Sequence, residues 1–147
     1  MTNFFTALAS FIPRRVRAFY NANPNPPNSA VADSDLATVL FLDISGFTRL
    51  AETLSQAGEE GSEQLTSSLN QQFGGLLKLV DAYGGEVVSF AGDAFAAVWF
   101  CTTENQKRHA PQRATACALE MQKLAESQPA SSSTSLSFKI GIGSGKL

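Results

Sequence analysis

Two aspartates offer the chemistry that this sequence carries most readily. Asp43 ends the apolar run Thr38-Val-Leu-Phe-Leu42 and is followed by Ile44-Ser-Gly-Phe-Thr48, where a helix-like pattern opens. A carboxylate at the C-terminal end of a strand would then stand beside the free backbone N–H groups of Phe47 and Thr48, a place that favours anions. Asp93 lies in Ser89-Phe-Ala-Gly-Asp-Ala94, a tight turn between two apolar runs. If the two carboxylates come within about 4–6 Å, one is driven protonated unless a cation intervenes. Magnesium answers that need, because it binds through oxygen, uses one or two carboxylates and enters with substrate phosphates. Two such ions can activate an attacking oxygen and stabilise a leaving pyrophosphate. The pair therefore predicts transfer at a nucleoside triphosphate phosphorus. Taken singly, each aspartate has a plainer role. Asp43 or Ser45 would cap the following helix, and Asp93 would be ordinary turn material.

Other chemistries find little support. The single histidine, His109, follows Lys107 and Arg108 in a charged stretch and reads as surface, so no Ser/His/Asp or Cys/His set can be assembled on it. Gly141-Ile-Gly-Ser-Gly-Lys146 has the wrong spacing for a phosphate loop and no Ser or Thr after the lysine. Eleven Lys and Arg against thirteen Asp and Glu, with a pI near 5.3, disfavour a nucleic-acid partner. Two cysteines make neither a disulfide framework nor a zinc quartet, and fit a reduced, cytoplasmic compartment.

The elements that must position the aspartates are legible from periodicity. At 147 residues and 44% hydrophobic composition the chain has enough apolar material for one real core. Residues 1–20 form an amphipathic arm. Phe4, Phe5, Leu8, Phe11 and Ile12 recur at helical spacing before Pro13, and Arg14, Arg15 and Arg17 follow with no acidic residue before Asp33. That arm is too short to span a membrane. It reads as a helix docked on the domain, with an organelle transit peptide or a membrane-surface contact as the other readings. Residues 21–35, rich in Pro and Asn, form a linker. The regular domain occupies 36–147. It opens on a central strand over 38–42 that its continuous apolar run predicts to be buried on both faces. Phe47, Leu50, Ala51 and Leu54 predict a short helix ending at Gly58. Leu65, Leu69, Phe73, Leu76, Leu77 and Val80 predict a longer one that Gly84-Gly85 closes with a left-handed cap. Gly74 and Gly75 inside it cost about 1 kcal/mol each relative to alanine and mark a kink or a close contact. Strands over 86–90 and 94–100 form a hairpin around Ala91-Gly-Asp93. Pro111 suits the first turn of a third helix, and Leu136, Phe138, Ile140 and Ile142 alternate as a strand with one buried face. The order is β-α-α-β-β-α-β, and the stop at Leu147 directly after a strand suggests a fragment.

Three segments, Phe41-Leu-Asp-Ile-Ser-Gly-Phe-Thr48, Gly84-Gly-Glu-Val-Val-Ser-Phe-Ala-Gly-Asp93 and Lys139-Ile-Gly-Ile-Gly143, resemble the class III nucleotidyl cyclase catalytic domain. The likeness is greatest to the soluble, bicarbonate-responsive adenylyl cyclases. The resemblance implies an α/β (α+β) fold, a ferredoxin-like sandwich, with active sites formed between two such domains. It implies that ATP, with GTP less favoured, is converted to cyclic AMP and pyrophosphate with two Mg²⁺ ions, for which Mn²⁺ can substitute. By it, Asp43 and Asp93 become metal ligands joined by the Ile44 carbonyl, while Gly46, Phe47 and Thr48 hold the triphosphate. Ser89 stands where the family often has an adenine-reading lysine, which suits a metal-supplying domain paired with a base-reading one and puts bicarbonate sensing in doubt. The family's Asn and Arg that steady ribose and transition state would lie past Leu147, so the chain alone is expected to have little or no activity. The other readings are a non-catalytic cyclase-like regulatory domain and an aspartyl-phosphate enzyme nucleophilic at Asp43.

Overall fold

The computed structural model describes residues 12–25, 27–32, 34–45, 58–126 and 137–147. The chain divides after Ser34 into two compact units. In the first, helix α1 (Arg14–Ala22) begins directly after Pro13. Its first turn closes through the Arg17 N–H to the Pro13 carbonyl at 3.0 Å. At its other end the backbone N–H and the side-chain amide of Asn23 both donate to the Phe19 carbonyl, at 2.9 and 3.0 Å. The apolar positions expected at 4–11 lie outside the described residues. Between Asn23 and Asp35 the described residues form neither helix nor strand.

The second unit runs β1 (Leu36–Ser45), α2 (Gly58–Ala82), β2 (Glu86–Ala91), β3 (Ala94–Phe100), α3 (Glu104–Glu126) and β4 (Ser137–Lys146). The strands form one antiparallel sheet in the order β2-β3-β1-β4. A β-α-β-β-α-β chain in that order is the ferredoxin-like arrangement expected from the sequence. The short helix expected near 47–54 lies outside the described residues. Gly58, expected to end it, instead opens α2 with a φ of +73°.

Alternation decides what each strand buries. Leu40, Leu42 and Ile44 of β1 meet Phe95, Ala97 and Trp99 of β3 and Phe138 of β4 in one core. Leu76 and Val80 of α2, with Ala110, Ala114, Cys117 and Met121 of α3, cover that face. The α3 residues recur at i, i+4, i+7, i+11, one stripe of a 3.6-residue helix. On α2, Phe73 and Leu79 pack against this core; the expected Leu65 and Leu69 side chains lie outside the described ones. Gly75 is the close contact of its pair: a Cβ there would stand 3.1 Å from Leu124 of α3, whereas Gly74 faces open space.

Three expectations are corrected. β1 is central, between β3 and β4, but its second face is only partly buried: Ala37 there is 2% exposed and Phe41 is 48% exposed. The two described helices that contribute to the core pack on a single face, so the apolar run did not signal full burial on both; antiparallel sheets tolerate a partly open face. Pro111 lies inside α3 rather than in its first turn. The helix starts earlier because Thr103 and Gln106 form a capping box. The Thr103 hydroxyl accepts from the Gln106 N–H at 3.2 Å, and the Gln106 side-chain oxygen accepts from the Thr103 N–H at 3.1 Å. Leu77 is only half-buried, and the core contact on that side falls to Leu79.

Burial pushes the Cys117 thiol up from its ordinary 9.0 to about 11. The unfolded chain releases that proton first, so the stabilisation is full below pH 9.0 and is lost as pH rises toward about 11. Urea midpoints at neutral pH and inside that window should therefore fall more steeply in the wild type than in Cys117→Ala. Equal slopes would show that another group governs the alkaline limit.

Candidate functional site

The hairpin between β2 and β3 turns on two residues, Gly92 and Asp93. Gly92 has a φ of +64° while no described non-glycine residue has a positive φ, the pattern of a type II′ turn with its glycine first. This tight connection fixes Asp93 at the start of β3. β3 in turn pairs with β1 so that Asp43 lies opposite Ala94, the residue after Asp93. Paired Cα atoms sit roughly 4.5–5.5 Å apart, and consecutive ones about 3.8 Å. The topology thus brings the backbones of Asp43 and Asp93 together at one end of the sheet. Both residues are half-buried. Among the described residues neither carboxylate enters a salt bridge.

The site lies on the side of the sheet opposite α2 and α3. Since Leu42 and Ile44 point into the core, Asp43 belongs with Phe41 and Val39 on the other face. Two rows of residues cross that face through the strand registers. One reads Ala91, Ala94, Asp43, Lys139, and the next reads Ser89, Ala96, Phe41, Gly141. Most members of the two rows are small; Phe41 and Lys139 are exposed, while Ala94 beside Asp43 is buried. Val88 interrupts the β2–β3 register as a bulge immediately before Ser89, a device that re-aims side chains beside sites.

Of the residues singled out from the sequence, Asp43 and Asp93 are brought together. Ile44 puts its side chain in the core, 1% exposed, which leaves only its backbone to face a ligand. Gly46, Phe47 and Thr48 lie outside the described residues. His109 is exposed and its Nδ1 is 2.9 Å from the Gln112 side-chain oxygen, as befits a surface residue. Lys139 is the residue whose position sequence reasoning missed. It pairs directly with Asp43 across β1 and β4 and is exposed. Alternation already placed it opposite Phe138 and Ile140; what the sequence does not display is that β4 lies beside β1.

The donor set suits a hard cation. It consists of carboxylate oxygens, and among the described residues no His, Cys or further acid gathers into a group of three or more. Magnesium asks no more from protein than one or two carboxylates when phosphates complete its shell.

Residues 30–147 match the family described as adenylate and guanylate cyclase catalytic domain. Adenylate cyclase type 10 of Mus musculus is 30% identical over 142 residues, 95% of this chain. The Homo sapiens protein of that name is 33% identical over 111 residues, 74% of this chain. The chain spans only 8% and 7% of the length of these two relatives. Among solved structures, the adenylyl cyclase CyaB from P. aeruginosa superposes with a TM-score of 0.66 at 25% identity, over 78% of this chain and 58% of that one. A bacterial light-regulated adenylyl cyclase gives 0.61 at 25% identity, over 95% and 39%. No helix among the described residues is long and apolar enough to cross a membrane. The aspartate pair on a ferredoxin-like sheet and the match over most of the chain agree: this chain belongs to the adenylate and guanylate cyclase catalytic-domain family.

Proposed function

We propose that this chain is the metal-supplying part of an adenylyl cyclase, converting ATP to cyclic AMP and pyrophosphate together with a second cyclase domain. The observation that carries this reading is the β1–β3 register, which sets Asp43 beside the Asp93 turn on the sheet face opposite α2 and α3. Asp43 and Asp93 would hold Mg²⁺, with the Ile44 carbonyl available as a neutral oxygen ligand. When bound, the metal supplies charge neutralisation on the triphosphate and a lowered pKa for the attacking hydroxyl. Lys139, in the same row as Asp43, would add an ammonium for the phosphate oxygens, and Gly46, Phe47 and Thr48 would supply N–H donors. The ribose 3′-oxygen then bonds to the α-phosphorus, its proton leaves, and the bond to the β-phosphate oxygen breaks to release pyrophosphate.

The same face supports a partner domain. Phe41 is exposed there, and Gly141, Gly143 and Gly145 of β4 have nothing within 4 Å of where a Cβ would stand. Ser89 offers no cation for a purine, so base recognition falls to that partner, and adenine over guanine rests on the likeness to adenylate cyclases.

Thermal unfolding with Mn²⁺ and ATP tests the site without needing turnover. At about ten times Kd the folded state gains roughly 1.4 kcal/mol, a rise of about 4 °C in Tm for a chain of this size. Lys139→Ala should keep binding of Mn²⁺ alone and weaken that of Mn²⁺ with ATP by about tenfold or more, the worth of a charge-assisted hydrogen bond. No shift in the wild type would favour a regulatory, non-catalytic domain.

A further inference from the structure

Strand β4 ends the sheet on one side, and its outer edge plays no part in the site at Asp43 and Asp93. It pairs with β1 over its full ten residues without a bulge, and it contains no proline. Which of its backbone groups face outward follows from the ladder. The Leu147 N–H donates to the Asp35 carbonyl at 2.9 Å, continuing the β1–β4 register, and the Cys101 N–H donates to the Leu36 carbonyl at 2.8 Å, continuing the β1–β3 register. Odd-numbered residues of β1 therefore bond to β4 and even-numbered ones to β3, since hydrogen-bonded and non-bonded pairs alternate in an antiparallel ladder. The backbone N–H and C=O groups of Phe138, Ile140, Ile142, Ser144 and Lys146 then point away from β1. Among the described residues only the Phe138 carbonyl has a partner on that side, the Gln122 side-chain amide of α3 at 3.0 Å. Two apolar side chains lie beside this edge. Ile142, on the core face with Leu40, is 40% exposed, and Leu119 of α3 is 59% exposed. At 100° per residue Thr115, Leu119 and Gln122 share one flank of α3, and the Gln122 bond marks it as the flank next to β4.

We propose that a second copy of this chain pairs its β4 with this one, antiparallel about a two-fold axis at Ile142, so that the two sheets become one. An edge without proline or bulge is a template for strand addition. Parity and charge select the partner and the register. Outward-facing groups sit only on even-numbered residues, so even must meet even. With Ile142 opposite Ile142 of the second copy, Ile140 meets Ser144, and Lys139 and Lys146 meet Gly145 and Phe138. β4 carries two lysines and no acid, so a clash of like charges is what self-pairing must avoid. The one-residue shift that sets Lys139 against Lys146 is excluded by the same parity. The helices fit the same axis. Strands stand about 4.8 Å apart, and α3 packs on both β1 and β4. The two α3 axes then lie about 10 Å apart, within reach of helix packing, with Leu119 on the facing flanks. Pairing at the edge uses neither the face of Asp43 and Asp93 nor its chemistry.

Sedimentation equilibrium of the full chain over about 1–100 μM, a span that brackets micromolar dissociation constants, should show a 15.6 kDa monomer converting to twice that mass. Hydrogen exchange locates the contact: the amides of Ile140, Ile142 and Ser144 should gain protection as concentration rises. Ile142→Glu and Ile142→Lys should each raise the dimer dissociation constant about tenfold or more, because a like charge then meets itself across the axis. Mixed together, the two variants should associate about as tightly as wild type does with itself. Trp99, the only tryptophan, is buried, so its emission reports whether each variant keeps its fold. A wild type that stays monomeric with native Trp99 emission would overturn the proposal and leave the edge to an extended segment of another protein. A dimer whose edge amides exchange as they do in the monomer would place the second copy elsewhere, on the face of Phe41, and overturn it too. So would failure of the two Ile142 variants to recombine while each keeps native emission.

Discussion

Asp43→Asn and Asp93→Asn are each expected to weaken Mn²⁺-dependent ATP binding by about a thousandfold, while the metal-free protein stays at least as stable as wild type. A unit charge about 4 Å from a cation, at the effective dielectric of a partly exposed site, is worth about 4 kcal/mol, and that is about a thousandfold in Kd. The two effects separate for one reason. The register sets two half-buried aspartates at one end of the sheet, and among the described residues neither enters a salt bridge, so without metal neutralising either breaks no ion pair. With metal the same neutralisation removes a ligand. A merely structural Asp43 behaves otherwise: loss of a helix cap costs about 1 kcal/mol of stability in the metal-free protein. Calorimetric titration with Mn²⁺ and ATP, beside urea unfolding in chelator, reads both quantities. Variants that bind ATP and Mn²⁺ like wild type, or that lose metal-free stability, would remove the aspartates from the proposed site.

How much of this site could be read in advance depends on which interactions are local. Asp93 was placed at a hairpin tip because Gly-Asp between two apolar runs is a local signal, and the two-residue turn on Gly92 agrees with it. Pairing Asp43 with that tip needed only the β-α-β-β order and the usual ferredoxin-like topology. Lys139 was different. Its neighbour is fixed by β4 running antiparallel beside β1, a contact between residues nearly a hundred positions apart that no periodicity encodes. The expected burial of both faces failed for a related reason. Val39-Leu-Phe-Leu42 is as apolar as a strand buried twice, yet which face α2 and α3 cover is decided by where they pack. Exposed Phe41 is therefore information that only the assembled sheet supplies, and it bears on function because a partner domain would cover it. Pro111 shows a local signal outweighed by another: proline favours a first turn, but the reciprocal Thr103–Gln106 bonds start the helix before it.

The Gly84-Gly85 pair gives the largest expected effect on folding. Read from sequence, both glycines serve to end the helix. The structure divides the work. The Gly84 N–H donates to the Asp81 carbonyl at 2.9 Å and the Gly85 N–H to the Val80 carbonyl at 2.8 Å, the two bonds of a Schellman cap. Only Gly84, with φ at +75°, needs the left-handed conformation. Gly85 needs space. A Cβ there would lie 2.6 Å from Cζ2 and 2.7 Å from Cε2 of Trp99, and 2.9 Å from Cγ1 of Val80. The indole cannot swing clear, because it is buried and its Nε1–H donates to the Tyr83 carbonyl at 2.9 Å. Gly84→Ala should cost about 1 kcal/mol, the ordinary left-handed penalty; its added Cβ meets only the flexible Arg113 guanidinium at 3.3 Å. Gly85→Ala should cost about 3 kcal/mol by overpacking, a fall of roughly 6–12 °C in Tm for a domain of this size. It should also shift Trp99 emission as the ring loses its hydrogen bond. If Gly84→Ala proves the more damaging of the two, the cap rather than the Trp99 contact governs this corner. A harmless Gly85→Ala would mean that β3 and α2 approach one another less closely than 2.6 Å to a Cβ requires. The corner matters beyond stability. Trp99 lies on the same strand whose first residue follows Asp93, so a displaced indole shifts β3 against β1 and with it the spacing of the two aspartates. Gly85→Ala is accordingly expected to lose part of the Mn²⁺–ATP thermal shift even at temperatures where the protein remains folded.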